Sequence, residues 1–148
     1  MNPKIRYQAA VIQDDHVLLL KVWDHTFTGH VFWVVPGGGR QAKETEEACV
    51  RREVWEETHL EVEVERLILD EPDAPNGMYE SNKTYACRIV GGVAQPGTEP
   101  EVDTPDLKTI IEIGWFDLRD PESRDSLAKD DPITNSNLQR IRAALGYI

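Results

Sequence analysis

Six glutamates fall between Glu44 and Glu57, in the run GGRQAKETEEACVRREVWEETHL that spans Gly38 to Leu60. If the run is helical, Glu53 stands three residues from Glu56 and four from Glu57, the two spacings at which side chains become neighbours on a helix. Like charges so placed cost about 0.2–0.5 kcal/mol per pair. A bound divalent cation reverses that penalty, because Mg2+ and Mn2+ seek carboxylate oxygens. A solvated acidic face, relieved by Arg52 pairing with Glu56, is the plainer alternative, and the helix alone leaves both open. The preceding Pro36-Gly37-Gly38-Gly39 adds a turn that bears no Cβ beyond Pro36, so backbone groups can come close to a ligand or a metal.

Those residues need a frame to hold them. Lys4 to Gln13 and His16 to Asp24 read as strands joined by a turn at Asp14-Asp15, and Val31 to Val35 as a third strand stopped by Pro36. A helix is expected from Thr45 to Thr58, with Thr45 as N-cap and Glu46 and Glu47 in its first turn. Ala48, Val50, Val54, Trp55 and Thr58 are expected to form its packing side, and Glu46, Glu53, Glu56 and Glu57 the opposite arc. Leu60 to Leu69, Lys83 to Val90 and Leu107 to Leu118 read as further strands. A second helix is expected from Asn135 to Gly146, capped by Thr134 or Asn135. Segments His25 to His30, Asp70 to Ser81 and Gly91 to Asp106 read as loops. Strands on both sides of one helix, with a terminal helix for the other face, indicate a layered α/β domain.

The 148 residues suit a single domain over residues 1–148. A formal net charge of −11 disfavours nucleic acid and anionic membranes as partners, and it would repel a phosphorylated substrate unless a cation stood between. Cys49 and Cys87 lack metal or redox spacing and read as buried hydrophobes of a cytoplasmic protein. A monomer or a homodimer suits this size.

Gly38, five residues, Glu44, seven residues, then Arg52-Glu53-Val54-Trp55-Glu56-Glu57-Thr58-His59-Leu60 resembles the signature of the Nudix hydrolase family (MutT-like). One fixed position departs: His59 stands where the family has glycine, at the helix end rather than among the acids. The resemblance implies the Nudix fold, a mixed β-sheet sandwiched between α-helices (α/β/α). It implies hydrolysis of the pyrophosphate bond in a nucleoside diphosphate linked to another moiety, with Mg2+, or Mn2+ as substitute.

By the same resemblance Glu53, Glu56 and Glu57 are metal ligands, joined by a backbone carbonyl at Gly37, and Gly38 and Gly39 lie against the substrate. Glu53 is the first candidate for orienting or deprotonating water, with Arg52 and Glu44 holding it in place. Glu99 and Glu101, in the acidic loop, are the alternative bases, and Glu112 a further candidate ligand. Tyr7, Trp23, Phe27, Tyr79 and Tyr85 are aromatic surfaces that could take a base, or could simply pack. The competing reading is a non-catalytic Nudix domain, a nucleotide-sensing or interaction module; retention of all three motif glutamates favours the enzyme.

Overall fold

Asp14 (φ 50°) and Asp15 (φ 63°) both take left-handed backbone, the conformation of a primed hairpin turn. The turn brings β1 (Ile5–Gln13) back against β2 (His16–Asp24), antiparallel, with Gln13 opposite His16. The computed structural model describes residues 4–24, 30–72, 79–97, 108–120 and 132–147. Within these follow β3 (His30–Val34), β4 (Gly37–Gly38), α1 (Glu46–Thr58), β5 (Leu60–Glu71), β6 (Ser81–Gly92), β7 (Lys108–Asp117) and α2 (Pro132–Leu145).

The strands join in the order β3-β2-β1-β6-β5, with β4 alongside β1 and β7 alongside β2. β1 and β6 run parallel, Ile5 opposite Ser81 through Val11 opposite Cys87, while the other pairs are antiparallel. The sheet is therefore mixed, as the motif's resemblance implies.

Alternation along β2 separates two cores. Leu18, Leu20 and Val22 pack with Cys49, Val50 and Val54 of α1, whereas Val17 and Leu19 point the other way, to Leu138 and Ile141 of α2. A strand covered on both faces reads as a continuous apolar run, which is why HVLLLKVW shows no polar alternation at its centre. Leu18, Leu19 and Leu20 are fully buried, each contributing roughly 1.5–3 kcal/mol of transfer free energy. One helix among the described residues thus covers each face. Among the described residues no helix is long and apolar enough to cross a membrane.

Two expectations need correction. α2 begins at Pro132, not at Asn135; proline is tolerated in a first turn because its missing N–H would have no helical acceptor there. Thr134 accordingly lies inside the helix, and its hydroxyl donates to the Trp33 carbonyl. Trp55, placed on the packing side of α1, is 48% exposed, and Cys49 takes the buried position instead.

Candidate active site

β4 is only the pair Gly37-Gly38, laid against Gln8 and Tyr7 of β1. A methyl built on Gly37 would lie 2.7 Å from the Tyr7 carbonyl oxygen, closer than real Cβ atoms come to a backbone oxygen, so glycine lets the turn lie flat on the strand. Pro36 anchors it by accepting a 2.9 Å hydrogen bond from the Ala9 amide.

α1 starts after Thr45, whose hydroxyl accepts from the Ala48 amide at 3.1 Å and so satisfies one of the free donors of a helix start. Its side facing β4 carries Val50 and Val54, and with them Glu53 and Glu57, only 3% and 2% exposed. These two acids are not on a solvent arc. They flank the apolar stripe and point into the diglycine turn: Glu57 Oε1 accepts from the Gly37 amide at 2.9 Å. The Glu53 carboxylate fills the space where a Gly38 side chain would be, its Oε1 2.4 Å from a built Cβ.

Arg52 ties the remaining acids together. Its Nε and Nη2 grip both oxygens of Glu44, at 2.7 and 3.0 Å, and Nη2 also donates to the Gly39 carbonyl at 3.1 Å. Nη1 reaches Glu53 Oε1 at 3.0 Å and Glu56 Oε2 at 3.2 Å. Glu44 in turn accepts from the Gln41 amide at 3.0 Å. The guanidinium holds the Glu44 carboxyl below the usual glutamate range, and Glu44 foremost raises Arg52 above the already high arginine value. One fork of donors thus orients the Gly39 turn, Glu53 and Glu56 at once.

At the other end of α1, Glu46 meets the Tyr85 hydroxyl and Lys83 Nζ, the latter at 3.3 Å; these contacts, the tyrosine's first, lower its pKa. Burial, with smaller help from Glu53 and Glu44, pushes the Cys49 thiol up to about 12. His59 closes the helix in left-handed backbone (φ 60°), its amide donating to the Trp55 carbonyl at 2.9 Å.

The structure therefore gathers Glu44, Arg52, Glu53, Glu56, Glu57, Gly37, Gly38 and Gly39. Glu112 is elsewhere. It pairs in register with Lys21, whose ammonium is 4.0 Å from its carboxylate, and alternation along β2 puts Lys21 on the sheet face opposite α1. Glu99, Glu101 and Phe27 lie outside the described residues. Tyr7 and Tyr85 are buried in the core under α1, and Trp23 is 40% exposed on β2. The ring of Tyr79 lies against Gly39, 3.7 Å from a built Cβ.

The donor set suits a hard divalent cation: carboxylate oxygens, two of the side chains nearly fully buried, beside a turn whose backbone is open to approach. As the side chains stand, no group of three acidic, histidine or cysteine residues among the described ones is close enough to enclose a metal, and Arg52 Nη1 contacts both Glu53 and Glu56.

The NUDIX domain family model matches residues 4–136. The chain belongs to the Nudix family. A MutT-like protein of Streptomyces ambofaciens is 37% identical over 73 residues, which cover 45% of this chain and 42% of that protein, less than half of its length. The ADP-ribose pyrophosphatase of Methanocaldococcus jannaschii is 25% identical over 118 residues, 78% of this chain and 69% of that one. A Nudix hydrolase from Nitrosomonas europaea superposes with a TM-score of 0.72 at 19% identity, covering 99% of this chain and 93% of its own. That last likeness shows the shared Nudix fold.

Proposed function

We propose that this Nudix protein hydrolyses the pyrophosphate bond of a nucleoside diphosphate carrying a second moiety. The observation that carries the reading is the burial of two motif carboxylates, Glu53 and Glu57, against the Gly37-Gly38 turn. Charged groups are removed from water at considerable cost, and such a cost is tolerated where the charge has work to do. Buried acids set against a glycine turn whose backbone a ligand can approach mark a candidate reaction centre.

Glu53, Glu56 and Glu57, with the Gly37 carbonyl, would hold Mg2+ or Mn2+; when bound, such an ion neutralises phosphate oxygens and lowers the pKa of water. It also reconciles an acidic substrate with a chain of net charge −11. The protein's own contribution is alignment. Glu53 orients the attacking water and takes up its proton. Arg52, fixed by Glu44 along one edge, keeps Glu53 and Glu56 from swinging away, and Gly38 and Gly39 let the diphosphate approach the backbone. A small-molecule partner and a cytoplasmic setting fit this chemistry and the two free, buried cysteines.

ADP-ribose is the first substrate to try, because the Methanocaldococcus relative is named for it. The test is product release from ADP-ribose, nucleotide sugars, nucleoside triphosphates and dinucleoside polyphosphates, with Mg2+, with Mn2+ and with EDTA. Metal-dependent turnover of one of these classes is the expected result. A folded protein that binds the metal and turns over none of them would favour the nucleotide-sensing module.

A further inference from the structure

A helix end leaves its last carbonyls without helical partners. In α1 two of these are taken up by a distant stretch of chain, just beyond β6. The Gln95 amide donates to the Thr58 carbonyl at 2.9 Å, and the Gly97 amide donates to the Glu57 carbonyl at 2.8 Å. Glycines make the approach feasible. A methyl at Gly97 would fall 1.9 Å from the Glu56 carbonyl oxygen and 2.9 Å from the Glu57 carbonyl carbon, and one at Gly92 (φ 85°) would fall 2.3 Å from the His59 carbonyl oxygen.

Glu57 is consequently held twice: the Gly37 amide binds its carboxylate at 2.9 Å, and the Gly97 amide binds its carbonyl. A short strap and the diglycine turn grip the same residue from its two ends. The peptide that links Glu56 to Glu57 lies directly under Gly97.

We propose that residues 95–97 are a positioning element for the motif carboxylates, with Gly97 its key residue, acting through the backbone of Glu56 and Glu57. The inference rests on the reading of those two glutamates as ligands of a divalent cation. Gly97 touches neither substrate nor metal; it acts through Glu57. If strap docking and cation binding favour the same arrangement of α1, each strengthens the other by one common factor, since coupling between two sites is reciprocal.

The reciprocity is measurable in the wild-type chain. Amide hydrogen exchange followed by NMR should show protection of the Gln95 and Gly97 amides rising about tenfold on adding Mg2+, while β7 amides stay as they were. Gly97→Ala, titrated with Mg2+ by calorimetry, should bind it about tenfold more weakly, and the Mg2+ concentration for half-maximal turnover should rise by the same factor. Val93→Ala, on an exposed side chain of the same segment, should bind as wild type does. Unchanged strap protection with Mg2+ bound, or wild-type affinity in Gly97→Ala, would overturn the proposal while leaving the hydrolase reading intact. A wild-type protein that binds no divalent cation would overturn both. The exchange measurement decides the matter even if Gly97→Ala does not fold.

Discussion

Gly37 and Gly38 are adjacent and chemically identical, yet they meet different neighbours. A methyl on Gly38 collides with the end of a side chain, the Glu53 carboxylate, whereas one on Gly37 collides with the backbone of Tyr7 and Gln8. A side-chain tip can be displaced by breaking its bond to Arg52, but a strand cannot give way. Gly38→Ala should therefore fold with a melting temperature near that of wild type and lose activity by about a hundredfold or more, as a misplaced catalytic group does. Gly37→Ala should lose stability as well, by roughly 1–3 kcal/mol. Thermal melts set beside turnover for both variants would check this, and equal behaviour of the two would count against the assignment. The spacing of Gly38, Glu44, Arg52, Glu53, Glu56 and Glu57 was legible in the sequence. The burial of Glu53 and Glu57 was legible in angle though not in polarity: at 100° per residue Glu57 falls about 20° and Glu53 about 60° from Val50, beside the apolar stripe, and sorting acids outward by polarity overrides that signal. Trp55 shows the reverse: it lies about 140° round the helix from Val50, yet its aromatic ring argues for the core, and it is exposed.

α1 ends on a histidine in left-handed backbone, a conformation that costs a non-glycine residue roughly 1–2 kcal/mol. Its Nδ1 is buried without a hydrogen-bond partner among the described residues, and its ring has an edge contact with Trp55 at 5.5 Å. The ring contact offsets part of the strain. His59→Gly should accordingly raise the melting temperature by about 2–4 °C, the shift expected for some 1 kcal/mol in a chain of this size, with activity kept; a lower melting temperature would show that the ring contact outweighs the strain. Helix and strand existence followed from periodicity, and the Thr45 cap from its residue type. The start of α2 did not, because Thr134, which looks like a cap, spends its hydroxyl on Trp33. The docking of Gly97 on α1 left no signal either, since a Pro-Gly pair in a loop reads the same whether or not it touches a helix.

Across the molecule, the α/β/α layering was legible in the double burial of β2 and in the two flanking helices, while which strand neighbours which is a long-range matter that local pattern does not encode. The same whole-chain view bears on pH. Glu44 and Glu46 have lowered pKa values in the folded state, below an ordinary 4.5, through Arg52 and Tyr85 respectively. A carboxylate lowered by folding stabilises the protein above its unfolded value, and that stabilisation is lost as pH falls through the lowered folded value. Urea midpoints measured from pH 7 downward should therefore fall below pH 4.5, and Glu44→Gln should flatten part of that decline; an unchanged profile in the variant would argue against the Glu44–Arg52 link as its source. Stability is secondary to the chemistry proposed for the buried acids. The measurement that tests that chemistry most directly is turnover of the best substrate by Glu53→Gln beside wild type, at saturating Mg2+, with circular dichroism on both. A fall of about a thousandfold or more with an unchanged spectrum is predicted, the range for loss of a group that handles the proton; near-wild-type turnover in a folded Glu53→Gln would contradict the placing of the reaction at this turn.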